Sequence, residues 1–245
     1  MGTVALGVAG EAGAARRVGT AAGVRASRSL NPPKPATAPA AVPGLDDLRR
    51  VAPDLDVQTL ADALSAMGCA RGPRIGKGRS AHDSILAVID YSLPSTEKRL
   101  WVLDLEKPAL LFHELVAHGI GSGETLATRF SNENGTRASS LGLYHAAEVY
   151  EGRNGYSLRL DGLTPGVNNR ARERDIVMHG AWYVSPEHAR KFGRLGRSWG
   201  CPALDTAVAR PVIDTLRDGA WLFIGARAVE REKSEVAAAL CARSR

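Results

Sequence analysis

The chain has 245 residues, 44% of them hydrophobic and 24% charged. That is enough for one substantial globular core with attachments, and no stretch approaches the roughly 20 apolar residues of a membrane span. The net charge of +6 suggests an anionic polymer as partner, but residues 1–44 contribute +4 and residues 227–245 contribute +2, leaving 22 basic against 22 acidic groups in residues 45–226. Nucleic-acid binding thereby loses its electrostatic basis, because a binding domain carries the excess on its folded surface.

In chain order, residues 1–44 are rich in Ala, Gly and Pro without hydrophobic periodicity, and "NPPKPATAPAAVPG" reads as a disordered leader or extended linker. The start lacks the basic n-region of an export signal. Residues 45–80 form a small helical prelude, with Leu55, Leu60, Ala63, Leu64 and Met67 near helical spacing and Asp56 placed to cap. From about residue 83 the period turns strand-like: "SILAVIDY", "KRLWVLDLE", "ALLFHELVAHG", "SSLGLYHAA", "EVYEG", "YSLRLDG", "DIVMHGAWYV" and "AWLFIG". Helices are expected only near residues 186–192 and 205–218. The expected fold is therefore mainly β, a mostly antiparallel sandwich or barrel over residues 81–226 with short helices, followed by a charged tail at 227–245.

The chemistry-bearing stretch is "GRSWGCPAL", residues 196–204, where Cys201 sits between Gly200 and Pro202 at a loop-to-helix junction. Such a setting is poorly suited to core filling. Arg190, Lys191, Arg194 and Arg197 precede it, and cations and a helix N-terminus both lower a cysteine pKa from about 8.5, so the expectation is a reactive thiolate. His179 ends "DIVMHG", a buried strand that delivers an imidazole at its tip. A cysteine acyl-transfer site needs a nucleophile, a base, an acceptor that orients the base and N–H donors for an oxyanion. Cys201, His179, the carbonyl of Gly180 or a neighbour, and the amides of Gly200 and Cys201 could supply all four.

The run from His179-Gly180 to Ser198-Trp199-Gly200-Cys201 resembles the His-Gly … Ser/Thr-His-Gly-Cys signature of the L,D-transpeptidases (YkuD-like fold), bacterial enzymes that remodel peptidoglycan. "VIDYSLPSTEKRLWVLDL", "LVAHGIGSG", "ATRFSN", "SSLGLY", "SLRLDGL" and "GRLGRSWGCPAL" are similar to the murein L,D-transpeptidase catalytic domain branch, over residues 85–225. Trp199 stands where most of the wider family has His, and Pro202-Ala203 replaces an apolar residue followed by Arg or Asn. The resemblance implies a cell-envelope or periplasmic enzyme without cofactor, with peptidoglycan stem peptides as partner. Cys201 is then the nucleophile, His179 the base, and Ser198, Trp199, Arg194, Arg197, His118 and Ser140 the substrate-contacting residues.

Three competing readings stand beside this one. An L,D-carboxypeptidase would use water as acceptor. A non-catalytic wall-binding module would keep the groove, and its thiol would alkylate with an inflection near or above about 8.5. A sortase-like enzyme would need an arginine on a strand after the cysteine, whereas Arg210 and Arg217 fall in the expected helix. The six histidines and three cysteines show no metal-ligand spacing, so no metal is expected. Cys69 and Cys241 could pair in an oxidising compartment, and the protein is expected to be monomeric.

Overall fold

A computed structural model describes residues 44–71 and 82–227. Two helices come first, α1 (Leu45–Val51) and α2 (Val57–Arg71). The Gly44 amide donates to Asp47 at the start of α1, and Asp56 Oδ1 accepts from the amides of Gln58 (3.1 Å) and Thr59 (2.9 Å) at the start of α2. These carboxylates satisfy donors that have no partner within the first helical turn.

Nine strands follow: β1 (Ile85–Asp90), β2 (Leu100–Asp104), β3 (Ala109–Glu114), β4 (Val116–Ala117), β5 (Gly142–Gly152), β6 (Gly155–Gly162), β7 (Val177–Gly180), β8 (Ala203–Leu204) and β9 (Trp221–Gly225). Between them lie a 3-10 turn at Ile120–Ser122, helix α3 (Pro186–Phe192) and helix α4 (Thr206–Leu216). All nine strands join one sheet in the order β3-β2-β1-β9-β5-β6-β7-β8-β4. The two outermost strands, β3 and β4, are separated in sequence only by Leu115, so the sheet curls until its edges meet and is nearly closed. Neighbours are antiparallel except β1 with β9 and β7 with β8.

Several expected strands differ in extent. "DIVMHGAWYV" supplies strand only over Val177–Gly180, and "ALLFHELVAHG" divides into β3 and β4. "SSLGLYHAA" and "EVYEG" are one strand, β5, whose register shifts between Ala146 and Val149. A bulge absorbs the extra residue, so the alternation in the sequence breaks while the strand continues.

Both faces of the sheet's centre are covered. Ile85, Ala87 and Ile89 of β1 point into a core shared with Tyr144, Leu158 and Met178 and with Val212, Ile213 and Leu216 of α4. Leu86 and Val88 point the other way, against Leu48, Leu60, Ala63 and Met67 of α1 and α2, together with Trp101, Leu103 and Trp221. This explains the unbroken apolar run of β1, because a strand with covered faces has no solvent side to alternate with. The helical prelude thus shares a core with the sheet. The expected leader at 1–44 (save Gly44), the end of the prelude and the tail beyond Arg227 lie outside the described residues. No helix among the described residues is long and apolar enough to cross a membrane.

Candidate active site

The loop between α3 and β8 carries Ser198–Cys201, and the sheet grips it from both sides. On one side the chain beyond β4 pairs with it: the Ser198 amide donates to the His118 carbonyl (3.0 Å) and the Ile120 amide to the Ser198 carbonyl (2.8 Å). On the other, parallel pairing of β7 with β8 sets His179 opposite Ala203, two residues beyond Cys201. The Cys201 sulfur lies 3.5 Å from the Val177 amide, which donates to it, and 3.6 Å from the Asp175 carbonyl, to which the thiol donates. Cys201 therefore sits against the entry of the strand that carries His179.

His179 Nδ1 is 2.9 Å from the Gly180 carbonyl. A carbonyl only accepts, so Nδ1 carries the proton, and in the neutral ring Nε2 is left with its lone pair. Burial pulls the imidazole below its ordinary pKa, against the opposing pull of the Gly180 carbonyl, so the ring is neutral near pH 7. The Gly180 carbonyl thus fixes which ring nitrogen of His179 carries the proton.

The expected thiolate is not the resting state. Cys201 is a free thiol, only 8% exposed, and burial raises its pKa, outweighing the Val177 amide and the Arg174 guanidinium, which act to lower it. The cations of residues 190–197 are engaged elsewhere: Arg194 and Arg197 both pair with Glu124 (3.1 and 2.6 Å), Arg197 also donates to the Gly123 carbonyl, and Arg190 pairs with Glu187. The cation that acts on the sulfur is Arg174, which sequence reading passed over. Its guanidinium donates to the carbonyls of Ser131 (2.6 Å) and Ala138 (2.7 Å) and to Ser140 Oγ (2.6 Å). The dense run "RARERD" reads as a solvated loop by composition, and only its position just ahead of the His179 strand marks it.

Three further expectations differ. Gly200 was an expected oxyanion donor, but its amide is held by Ser198 Oγ (3.1 Å), while that hydroxyl donates to the Cys201 carbonyl (2.6 Å). His118, expected to line the pocket, is fully buried. Its Nδ1 accepts from Arg99 Nη2 (2.8 Å), which places the ring proton on Nε2, directed at the Gly123 carbonyl 3.4 Å away. Burial, reinforced by the charge of Arg99, takes its pKa down to about 4. Ser140 is buried as well, its hydroxyl donating to the Ser131 carbonyl (2.8 Å). Trp199, two residues before Cys201, is 66% exposed. Arg210 lies within α4 and Arg217 caps its end, neither on a strand.

Behind the loop is a buried polar scaffold. Arg99, fully buried, donates to the carbonyls of Leu93 (2.7 Å) and Val116 (3.0 and 2.9 Å) besides His118. Tyr91 donates to the Ala117 carbonyl (3.1 Å). Ser139 Oγ accepts from the Gly119 amide (3.0 Å) and donates to the Gly200 carbonyl (2.9 Å), tying β4's extension to the residue before Cys201. Gly119 has no room for a side chain, since a Cβ there would lie 2.6 Å from Gly200 Cα.

The mainly β scaffold thus carries a histidine held by a carbonyl on β7 and a cysteine in the sheet-clamped Gly-Cys loop that leads into the neighbouring strand β8. The chain belongs to the L,D-transpeptidase catalytic domain family, whose profile matches residues 52–224 and so takes in α2 as well as the sheet. Similar solved structures include an L,D-transpeptidase from Mycobacterium smegmatis, at 14% identity and a TM-score of 0.35 over 58% of each chain. Another is the helical cell shape determining protein Pgp2 from Campylobacter jejuni, at 15% identity and a TM-score of 0.39 over 66% of this chain and 54% of that one. An L,D-transpeptidase from Stackebrandtia nassauensis is 11% identical, with a TM-score of 0.35 over 74% and 75%. The chain spans 58% of the length of the Mycobacterium smegmatis structure. No curated protein matches it.

Proposed function

We propose that the protein is a cell-envelope cysteine acyltransferase acting on peptidoglycan stem peptides. The observation that carries this reading is the orientation of His179: with Nδ1–H committed to the Gly180 carbonyl, Nε2 is a neutral base, and the buried thiol of Cys201 is the nucleophile that needs one. In this reading Cys201 Sγ attacks the carbonyl carbon of the L-to-D peptide bond of a tetrapeptide stem as Nε2 accepts the thiol proton. The Cys201 amide, which lies beside the sulfur, stabilises the oxyanion. Collapse of the tetrahedral intermediate breaks the C–N bond, His179 protonates the departing D-alanine amine, and a thioester is left. An amine acceptor makes the enzyme a transpeptidase; water makes it a carboxypeptidase.

The buried thiol and the occupied Gly200 amide favour a second reading, a wall-binding module that does not turn over. A high alkylation inflection no longer separates the two, because burial raises the thiol in either case. Acylation does. Incubation with a carbapenem followed by intact mass measurement should add one drug mass to the protein, absent in Cys201→Ala and slowed by orders of magnitude in His179→Gln. Without an adduct, a muropeptide digest decides: loss of terminal D-alanine means carboxypeptidase, new cross-links mean transpeptidase, and an unchanged profile leaves the binding module.

A further inference from the structure

Beside the Ser198–Cys201 loop one cation lacks a carboxylate partner. The Arg137 guanidinium lies over the Trp199 indole, 4.4 Å from the ring centroid, and among the described residues no carboxylate pairs with it. The acidic side chains nearby in sequence are spent, Glu133 on Arg170 (2.9 Å) and Glu124 on Arg194 and Arg197. Trp199 stands two residues before Cys201 and is exposed, as is Arg137.

The backbone places this arginine under constraint. Arg137 adopts φ +54°, in the left-handed region that a non-glycine residue enters only at a cost of order 1 kcal/mol. The strain is imposed by close packing: the Arg137 carbonyl accepts from the Gly121 amide (2.9 Å), and a Cβ on Gly119 would lie 2.4 Å from that same carbonyl oxygen. The main chain of residue 137 is thus wedged against Gly121 and against Gly119, which abuts Gly200, while its side chain lies over the indole. Stacking uses the face of the planar guanidinium and leaves its N–H edge free, the edge that binds a carboxylate bidentately.

We infer that Arg137, held over Trp199, is a specificity-determining residue that receives a carboxylate of the substrate at the entrance to Cys201. The inference rests on the stem-peptide reading above for the class of ligand. It also accounts for a cation at the entrance that Arg194 and Arg197, paired to Glu124, do not supply.

The test is equilibrium binding to the full-length protein, with Cys201→Ala present throughout to prevent turnover. The probes are a synthetic stem tetrapeptide with free carboxylates and its fully amidated counterpart. The protein with Arg137 should prefer the free acid by about tenfold, a charge-assisted contact's worth. Arg137→Gln should erase the preference by weakening the acid alone, and Arg137→Lys should restore part of it; unchanged melting temperatures show that the side chain acts on the ligand rather than on the fold. An equal affinity for acid and amide, a preference that survives Arg137→Gln, or binding of neither peptide at millimolar concentration overturns the assignment. Failure of the transferase reading looks different: the acid is still preferred, but the wild-type chain forms no covalent adduct with peptide or carbapenem.

Discussion

At the residue scale the candidate site holds two neutral groups, Cys201 and His179. Burial raises Cys201 and lowers His179, so both shifts oppose a resting thiolate–imidazolium pair, and in the proposed acyltransferase mechanism proton transfer accompanies attack. Arg174 is the counterweight. Its charge stabilises the thiolate, yet its guanidinium is fixed by two carbonyls and a hydroxyl rather than by a carboxylate. Arg174→Gln should therefore move the midpoint of Cys201 alkylation by iodoacetamide to higher pH, and Arg174→Lys should move it less. Coincident profiles for wild type and Arg174→Gln would show that the charge does not reach the sulfur. Cys201 and His179 were legible in the sequence because each carries a local signal, a Gly-Cys-Pro turn and a strand ending in His-Gly. Arg174 and Arg137 carry none: an arginine in a polar loop reads as a solvated cation until the fold shows what its guanidinium faces.

At the element scale, β4 is two residues long, too short to stand alone, and the buried polar groups behind it hold it in place. Arg99 keeps its charge, burial lowering its pKa only to about 10, and His118 stays neutral beside it. An unfolded histidine titrates near 6.5, whereas the folded His118 does so at about 4, so the unfolded state binds an extra proton between those values and stability falls as pH drops through that window. His118→Gln keeps an acceptor for Arg99 and a donor for the Gly123 carbonyl but cannot titrate. In urea unfolding it should flatten the slope of stability between pH 6.5 and 4, the wild type losing up to about 3 kcal/mol more across it. His179, also lowered, leaves a residual slope in the variant. Parallel curves for the two proteins would mean that His118 is not held neutral. β8 and the break between β3 and β4 escaped the sequence because two residues cannot display a period, and the continuity of β5 because a bulge broke its own.

At the scale of the whole molecule, the helices before the sheet are part of its core. Leu60 is fully buried against the outer face that carries Leu86, Trp101 and Trp221. Leu60→Ala should cost about 2–5 kcal/mol, the range for emptying a well-packed leucine site. Because two tryptophans of the sheet share that cluster, tryptophan fluorescence and far-UV circular dichroism should still report one coincident transition. A separate early transition in either probe would make α1 and α2 an independent unit.

What the sequence determined by itself is local and chemical. The period-2 runs specify strands, and the His-Gly and Ser-Trp-Gly-Cys signatures identify the family that the match over residues 52–224 establishes. The tertiary structure decided what depends on distance between segments far apart in the chain. Desolvation by the whole fold reversed the expected ionisation of Cys201, Arg99 and Gly123 closed around His118 and removed it from the pocket, and Glu124 took up Arg194 and Arg197. Burial and charge pairing are properties of the assembled chain, because low dielectric and ionic partners exist only once remote segments meet.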